Sequence, residues 1–220
     1  IQNTFIGHEA GQATAGGDYN VYVGDGAGYT NTGSNCVMVG SFAGRYANDD
    51  DNITYVGSGA GYQNTGANNT AVGKGTLSAS GAGANNTVVG YLAGTAITSG
   101  PYNTLFGANA GDAIADGSEN ICIGFDAGGG INAGNNNTCI GRATGNHDNT
   151  LTDGGQNIII GDFNDVSSGS ASNQIIIGYN LTASADDTFR FGKPSNVVSN
   201  IFTSNANWAQ SSDERLKTNI

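Results

Sequence analysis

The chain has 220 residues, with 37 Gly, 2 Pro, 3 Cys and a formal net charge of −11. Gly at one residue in six, against a usual share of about 7%, excludes an ordinary globule, and the lack of a Gly-X-Y period excludes collagen. Charged residues make up only 11% and short Val/Ile runs recur, which argues against disorder, and no stretch approaches the ~18 apolar residues of a membrane helix. Residues 1–180 carry 14 acids against three bases, Arg45, Lys74 and Arg142, so a nucleic-acid partner is not expected. The acidity reads as solubility of a long surface.

The chain opens almost inside a repeat, Asn3-Thr4-Phe5-Ile6-Gly7, and so reads as a fragment of a longer protein. An anchoring Gly then stands at 7, 24, 40, 57, 73, 90, 107, 124, 141, 161 and 178. The intervals are 16 or 17 residues except for one of 20, between Gly141 and Gly161, where residues around His147–Asp153 are expected to bulge out as a loop. The anchor ends the pattern Asn-Thr-X-(Ile/Val)-Gly, as in Asn69–Gly73, with Phe106 in place of Ile/Val in the copy Asn103–Gly107. Ala-Gly often follows it, as at Ala27-Gly28 and Ala93-Gly94. Repetition at this period predicts a parallel β-solenoid of about eleven coils, all-β, roughly 50 Å long at ~4.8 Å per coil.

Each short strand has two faces. The residue before the anchor is always aliphatic or aromatic, from Ile6 and Val23 to Ile160 and Ile177, and is expected to fill the coil. Two positions earlier Thr alternates with Val or Ile, on the same face. The middle position should then point the other way. It too is apolar or Tyr, and Phe5, Tyr22, Met38, Tyr55, Val88, Leu105, Ile159 and Ile176 are the expected contacts between chains of a homo-oligomer. The recurring Asn is expected to stack into side-chain amide ladders and to suit left-handed turn positions. Cys36, Cys122 and Cys139 fit no zinc spacing and read as buried free thiols, although Cys122 and Cys139 lie one coil apart within disulfide reach.

The repeat resembles the head repeats of trimeric autotransporter adhesins, left-handed parallel β-rolls that also occur in phage tail fibres. The resemblance covers residues 1–180 and implies a homotrimer.

After Gly178 the period stops. Residues 181–212 hold short apolar runs, Thr188–Gly192, Val197-Val198 and Ile201-Phe202, expected to form a β cap over the open end. The last stretch, Ser211-Ser212-Asp213-Glu214-Arg215-Leu216-Lys217-Thr218-Asn219-Ile220, resembles the opening of the endosialidase-type intramolecular chaperone domain of phage tail fibres and tailspikes. That resemblance makes 213–220 the first residues of a truncated chaperone domain. It implies chaperone-assisted trimerisation followed by self-cleavage of the Ser212–Asp213 bond, with Ser212 as nucleophile and Lys217 as general base.

Other chemistry is thinly supported. Asp49-Asp50-Asp51 lacks an EF-hand or nonapeptide context, and His8 and His147 have no second ligand in pattern, so neither a metal nor another cofactor is expected. Asp162 and Asp165 are the nearest pair of acids for glycoside hydrolysis, without the stacked aromatic platforms such a site needs. An ice-binding Thr row is broken by Val21, Val37, Ile121, Ile158 and Ile175, which is taken to signal burial of that column. The expected function is that of a structural tail-fibre segment on a virion, binding a host-surface glycan or protein receptor. A bacterial adhesin head and a polysaccharide depolymerase are the alternatives.

Overall fold

A computed structural model describes residues 2–48, 51–81, 83–203 and 209–210. Among these the protein is all-β, a parallel β-solenoid of about eleven coils of roughly seventeen residues. Each coil contributes one short strand just before its anchor Gly: β1 (Thr4–Ile6), β2 (Val21–Val23), β3 (Val37–Val39), β4 (Thr54–Val56), β5 (Thr70–Val72), β6 (Thr87–Val89), β7 (Thr104–Phe106), β8 (Ile121–Ile123), β9 (Thr138–Ile140), β10 (Ile158–Ile160) and β11 (Ile175–Gly178). Consecutive strands pair in parallel and in register, so each repeat position stacks on its equivalent, as Leu105 does on Cys122 and Cys122 on Cys139. Then β12 (Thr188–Lys193) adds in parallel to β11, and β13 (Asn196–Ile201) and β14 (Ala209–Gln210) follow antiparallel.

The anchor Gly is required by the stacking. At Gly90 φ is +145°, and a Cβ there would lie 2.1 Å from the carbonyl oxygen of Gly107 in the next coil. Only a residue without a side chain lets the two backbones approach that closely. Gly90 N–H meanwhile donates to Val89's counterpart in the preceding coil, the Val72 carbonyl, at 2.8 Å.

The interior is the reverse of the sequence expectation. The middle residue of each strand points into the coil: Tyr22, Met38, Tyr55, Val88, Leu105, Ile159 and Ile176 are all 0% exposed. Phe5 belongs to the same inward column but sits in the first described coil, half-open, its ring stacked on Tyr22 at 4.7 Å. The seven fully buried side chains are taken up inside their own chain, so they are not placed to line a contact between chains. The residues flanking them in the strand, including Ile6, Val21, Val37, Phe106, Ile121, Ile123 and Ile158, are the outward ones. Burial therefore does not explain the aliphatic breaks in the Thr column.

What decides the direction is the turn after the anchor. It returns Ala27, Ala43, Ala60, Ala93, Ala110 and Ala127 to the interior. The following Gly lies against the middle side chain of its own strand, and a Cβ on Gly28 would sit 2.6 Å from the Tyr22 ring. Where the middle residue shrinks to Ala71, that Gly position is taken by Leu77, itself fully buried. Volume is thus conserved within the coil, as close packing demands.

The Asn ladder forms as expected. Asn120 Nδ2 donates to Asn103 Oδ1 at 3.1 Å and to the Gly134 carbonyl at 2.8 Å. Its Oδ1 accepts from the backbone N–H of Asn137 at 3.0 Å and from Asn137 Nδ2 at 3.1 Å. The same pattern continues through Asn157 to Gln174. Cys36 and Ile53 interrupt it near the start, although Cys36 N–H still donates to Asn20 Oδ1 at 2.9 Å. The ladder Asn itself is not left-handed; the residue before it is, for example Asn68 and Asn85, each at φ 60°.

Candidate binding surfaces

The outward face of the sheet is the most extended surface feature. Its two columns run through all eleven coils without a charged residue, and Phe189 and Phe191 of β12 continue them in register. Ile6 and Phe106 are 59% and 58% exposed on this face.

A second surface lies on the turns after the anchors of the first four coils. Arg45 is its centre. The guanidinium sits 4.8 Å from the Tyr29 ring centroid and 4.9 Å from that of Phe42, and its Nε donates to the Tyr46 hydroxyl at 3.3 Å. It crosses a whole coil to reach Glu9 at 3.2 Å. The crossing runs over Gly26, where a Cβ would stand 2.2 Å from Arg45 Nη1. Tyr62 packs edge-on against both Phe42 and Tyr46, at 6.4 and 5.3 Å. Asp25, paired with His8 at 3.0 Å, closes the rim of the resulting open cleft. The hydrogen bond to Tyr46 raises the Arg45 pKa, and the same bond lowers that of Tyr46. The sequence reading missed this cluster. Its signal was the clustering of Phe42, Tyr46 and Tyr62 around the first base of the chain.

The irregular coil builds a third cluster. Leu151 N–H donates to the Gly145 carbonyl at 2.9 Å, whereas in regular coils the equivalent bond, Ile131 N–H to Gly128, spans three residues fewer. The extra residues thus loop out within 146–150, a shorter bulge than the expected His147–Asp153, because Leu151 is buried and the Thr152 and Asp153 N–H groups donate to the Gly169 carbonyl of the next coil, as in regular coils. They bring His147 Nδ1 to 3.3 Å from the Asp148 carboxylate and 3.5 Å from that of Asp165. Asp165 is buried and accepts the backbone N–H groups of His147 and Asp148 at 2.9 and 2.8 Å. Its carboxylate closes the loop. Asp162 points away to Arg142 at 3.7 Å, so Asp162 and Asp165 do not form a facing acid pair. Another pair of acids converges at Gly129, where a Cβ would stand 2.2 Å from Asp126 Oδ1 and 3.2 Å from Asp112 Oδ1. Burial, then the Asp126 charge, raises the Asp112 pKa.

The cysteines are buried and unbridged. The hydrogen bond with Cys139, and then burial, holds the Cys122 thiol well above its ordinary range. Cys122 in the folded chain is therefore expected to resist alkylation at pH 8, because the thiolate is the nucleophile. Thiol titration of the unfolded, non-reduced protein should count all three cysteines; a count of one would place a disulfide between Cys122 and Cys139. Ser212, Lys217, Asp49 and Asp50 lie outside the described residues.

No family model, curated protein or solved structure matches this chain.

Proposed function

We propose that the chain is the shaft of a homotrimeric phage tail fibre that attaches the virion to its host surface. Maturation proceeds by chaperone-assisted trimerisation and cleavage after Ser212. The observation that carries the assembly is the outward sheet face, apolar or Thr at every position over the whole stack. Faces of that extent are rarely left to water. Another copy of the same chain, in register about a rotation axis, matches this face coil for coil. The interface runs through Ile6, Val39, Val89, Phe106, Ile123 and their equivalents rather than through the inward column. Three-fold symmetry and the phage assignment rest on the resemblance of the repeat and of residues 211–220. The protein acts on no external substrate in this reading.

Sedimentation equilibrium is expected to give three times the 22.1 kDa chain mass. A stable monomer or a dimer overturns the trimer. In a precursor that carries the complete chaperone domain, intact mass should show a single cut between Ser212 and Asp213. Ser212→Ala should trimerise without cleaving, and Lys217→Ala should cleave far more slowly for lack of a base. A precursor that assembles and stays whole removes the self-cleavage assignment.

A further inference from the structure

We propose that the cleft around Arg45 binds the pyranose rings of a neutral glycan, which rests on the attachment reading above and gives it a site. Sugar rings present C–H faces that pack on aromatic rings and an equatorial rim of hydroxyls that needs both donors and acceptors. The cleft offers both. Phe42 and Tyr46 are 37% and 36% exposed and stand with Tyr62 at its wall. Glu9 and Asp25 supply carboxylate acceptors, and Arg45, held in place by Tyr46 and Glu9, supplies planar donors.

Charge selects a neutral ligand over an anionic one. Two carboxylates face one guanidinium, whose charge is already matched by Glu9 at 3.2 Å, and the chain as a whole is strongly acidic. Sulfated or sialylated sugars would meet repulsion here.

Phe42 is the wall residue that can be removed with least disturbance to the backbone. It occupies the second position after its anchor at φ 60°, a left-handed conformation that bulky residues rarely hold. The same position is Gly26 and Gly59 in the two adjacent coils, at φ 60° and 67°, and is held by non-glycine residues such as Leu92 and Phe163 in others, at φ 53° and 57°. The backbone at Phe42 therefore accepts glycine, as its two neighbours do, which makes Phe42→Gly a substitution that removes the ring alone. The cleft lies on the turns after the anchors, whereas the proposed interface runs over the outward sheet face.

The test applies the full chain to a printed array of neutral, sulfated and sialylated oligosaccharides, with affinities of retained sugars measured by calorimetry. Neutral oligosaccharides are expected to bind, and Phe42→Gly and Tyr62→Ala should each weaken binding by about tenfold or more. Phe42→Gly should melt no earlier than the parent, since glycine relieves the left-handed backbone, and Tyr102→Ala in a distant coil should change neither property. Retention of no neutral sugar, retention of anionic sugars alone, or binding that survives Phe42→Gly and Tyr62→Ala overturns the proposal. Adsorption to a panel of bacterial cells separates the two readings. If cells are bound and Phe42→Gly binds them as well as the parent, as it would with a protein receptor elsewhere on the rod, the site fails and attachment stands. If the parent binds neither sugars nor cells, both fail.

Discussion

Leu105→Asp is expected to collapse the coil stack, whereas Ile123→Asp is expected to leave the coils formed and to stop assembly. Leu105 is fully buried between Val88 and Cys122 in the inward column, with the Gly111 backbone over its methyl groups. No cation lies in that interior column between β1 and β11, so a carboxylate there has no partner, and the penalty for burying it is several kcal/mol, about 3–5 or more. Ile123 is 38% exposed on the outward face. A charge at that position stays hydrated in a single chain and becomes costly only when a second chain covers it. Circular dichroism melting and sedimentation read the two effects separately. A Leu105→Asp variant that melts with the parent removes the inward orientation; an Ile123→Asp variant that still trimerises removes the outward interface.

Asn120→Ala should be nearly as severe, although it deletes only a small polar side chain. The substitution strips four hydrogen bonds made by the Asn120 amide. It leaves the backbone N–H of Asn137 and the carbonyl of Gly134 buried without these partners, at about 1–3 kcal/mol for each unsatisfied group. A loss of about 3–5 kcal/mol is expected, with faster hydrogen exchange at the Asn137 amide. The exposed amide row gives the control. Asn68 Nδ2 donates to Asn85 Oδ1 at 3.2 Å in water-accessible surroundings, and Asn68→Gly keeps the left-handed backbone satisfied. Its effect should stay within about 0.5 kcal/mol. Equal losses at the two positions would mean that the buried ladder does not hold the coils together.

The repeat itself was fully legible. Gly at the anchors, Asn four residues earlier and the single long interval before Gly161 specify the coil count, the strands, the ladder and the place of the loop. They do so because each has one physical requirement that recurs in every coil: close backbone approach, amide stacking, or chain length. The direction of each strand was not legible from hydrophobicity. Alternation says that Ile123 and Cys122 face opposite ways, but with apolar residues on both sides it does not say which way is in.

The sequence does carry a volume signal for the inward face. The middle column ranges from Ala71 to Tyr55, and the Gly-to-Leu77 exchange accompanies the smallest member, as expected of side chains that must share a closed interior. The column before the anchor is Val or Ile in all but one coil, as suits a face with no such constraint. The clusters at Arg45 and Asp165 were hidden for a different reason. Arg45 meets Glu9 across 36 residues and His147 meets Asp165 across 18, separations that the winding of the chain turns into contacts. The sequence by itself thus determined the period and what each coil needs to stack. Which face each coil turns outward, and which polar side chains it gathers there, was decided only by the tertiary structure, because both depend on what neighbouring turns place beside the strand.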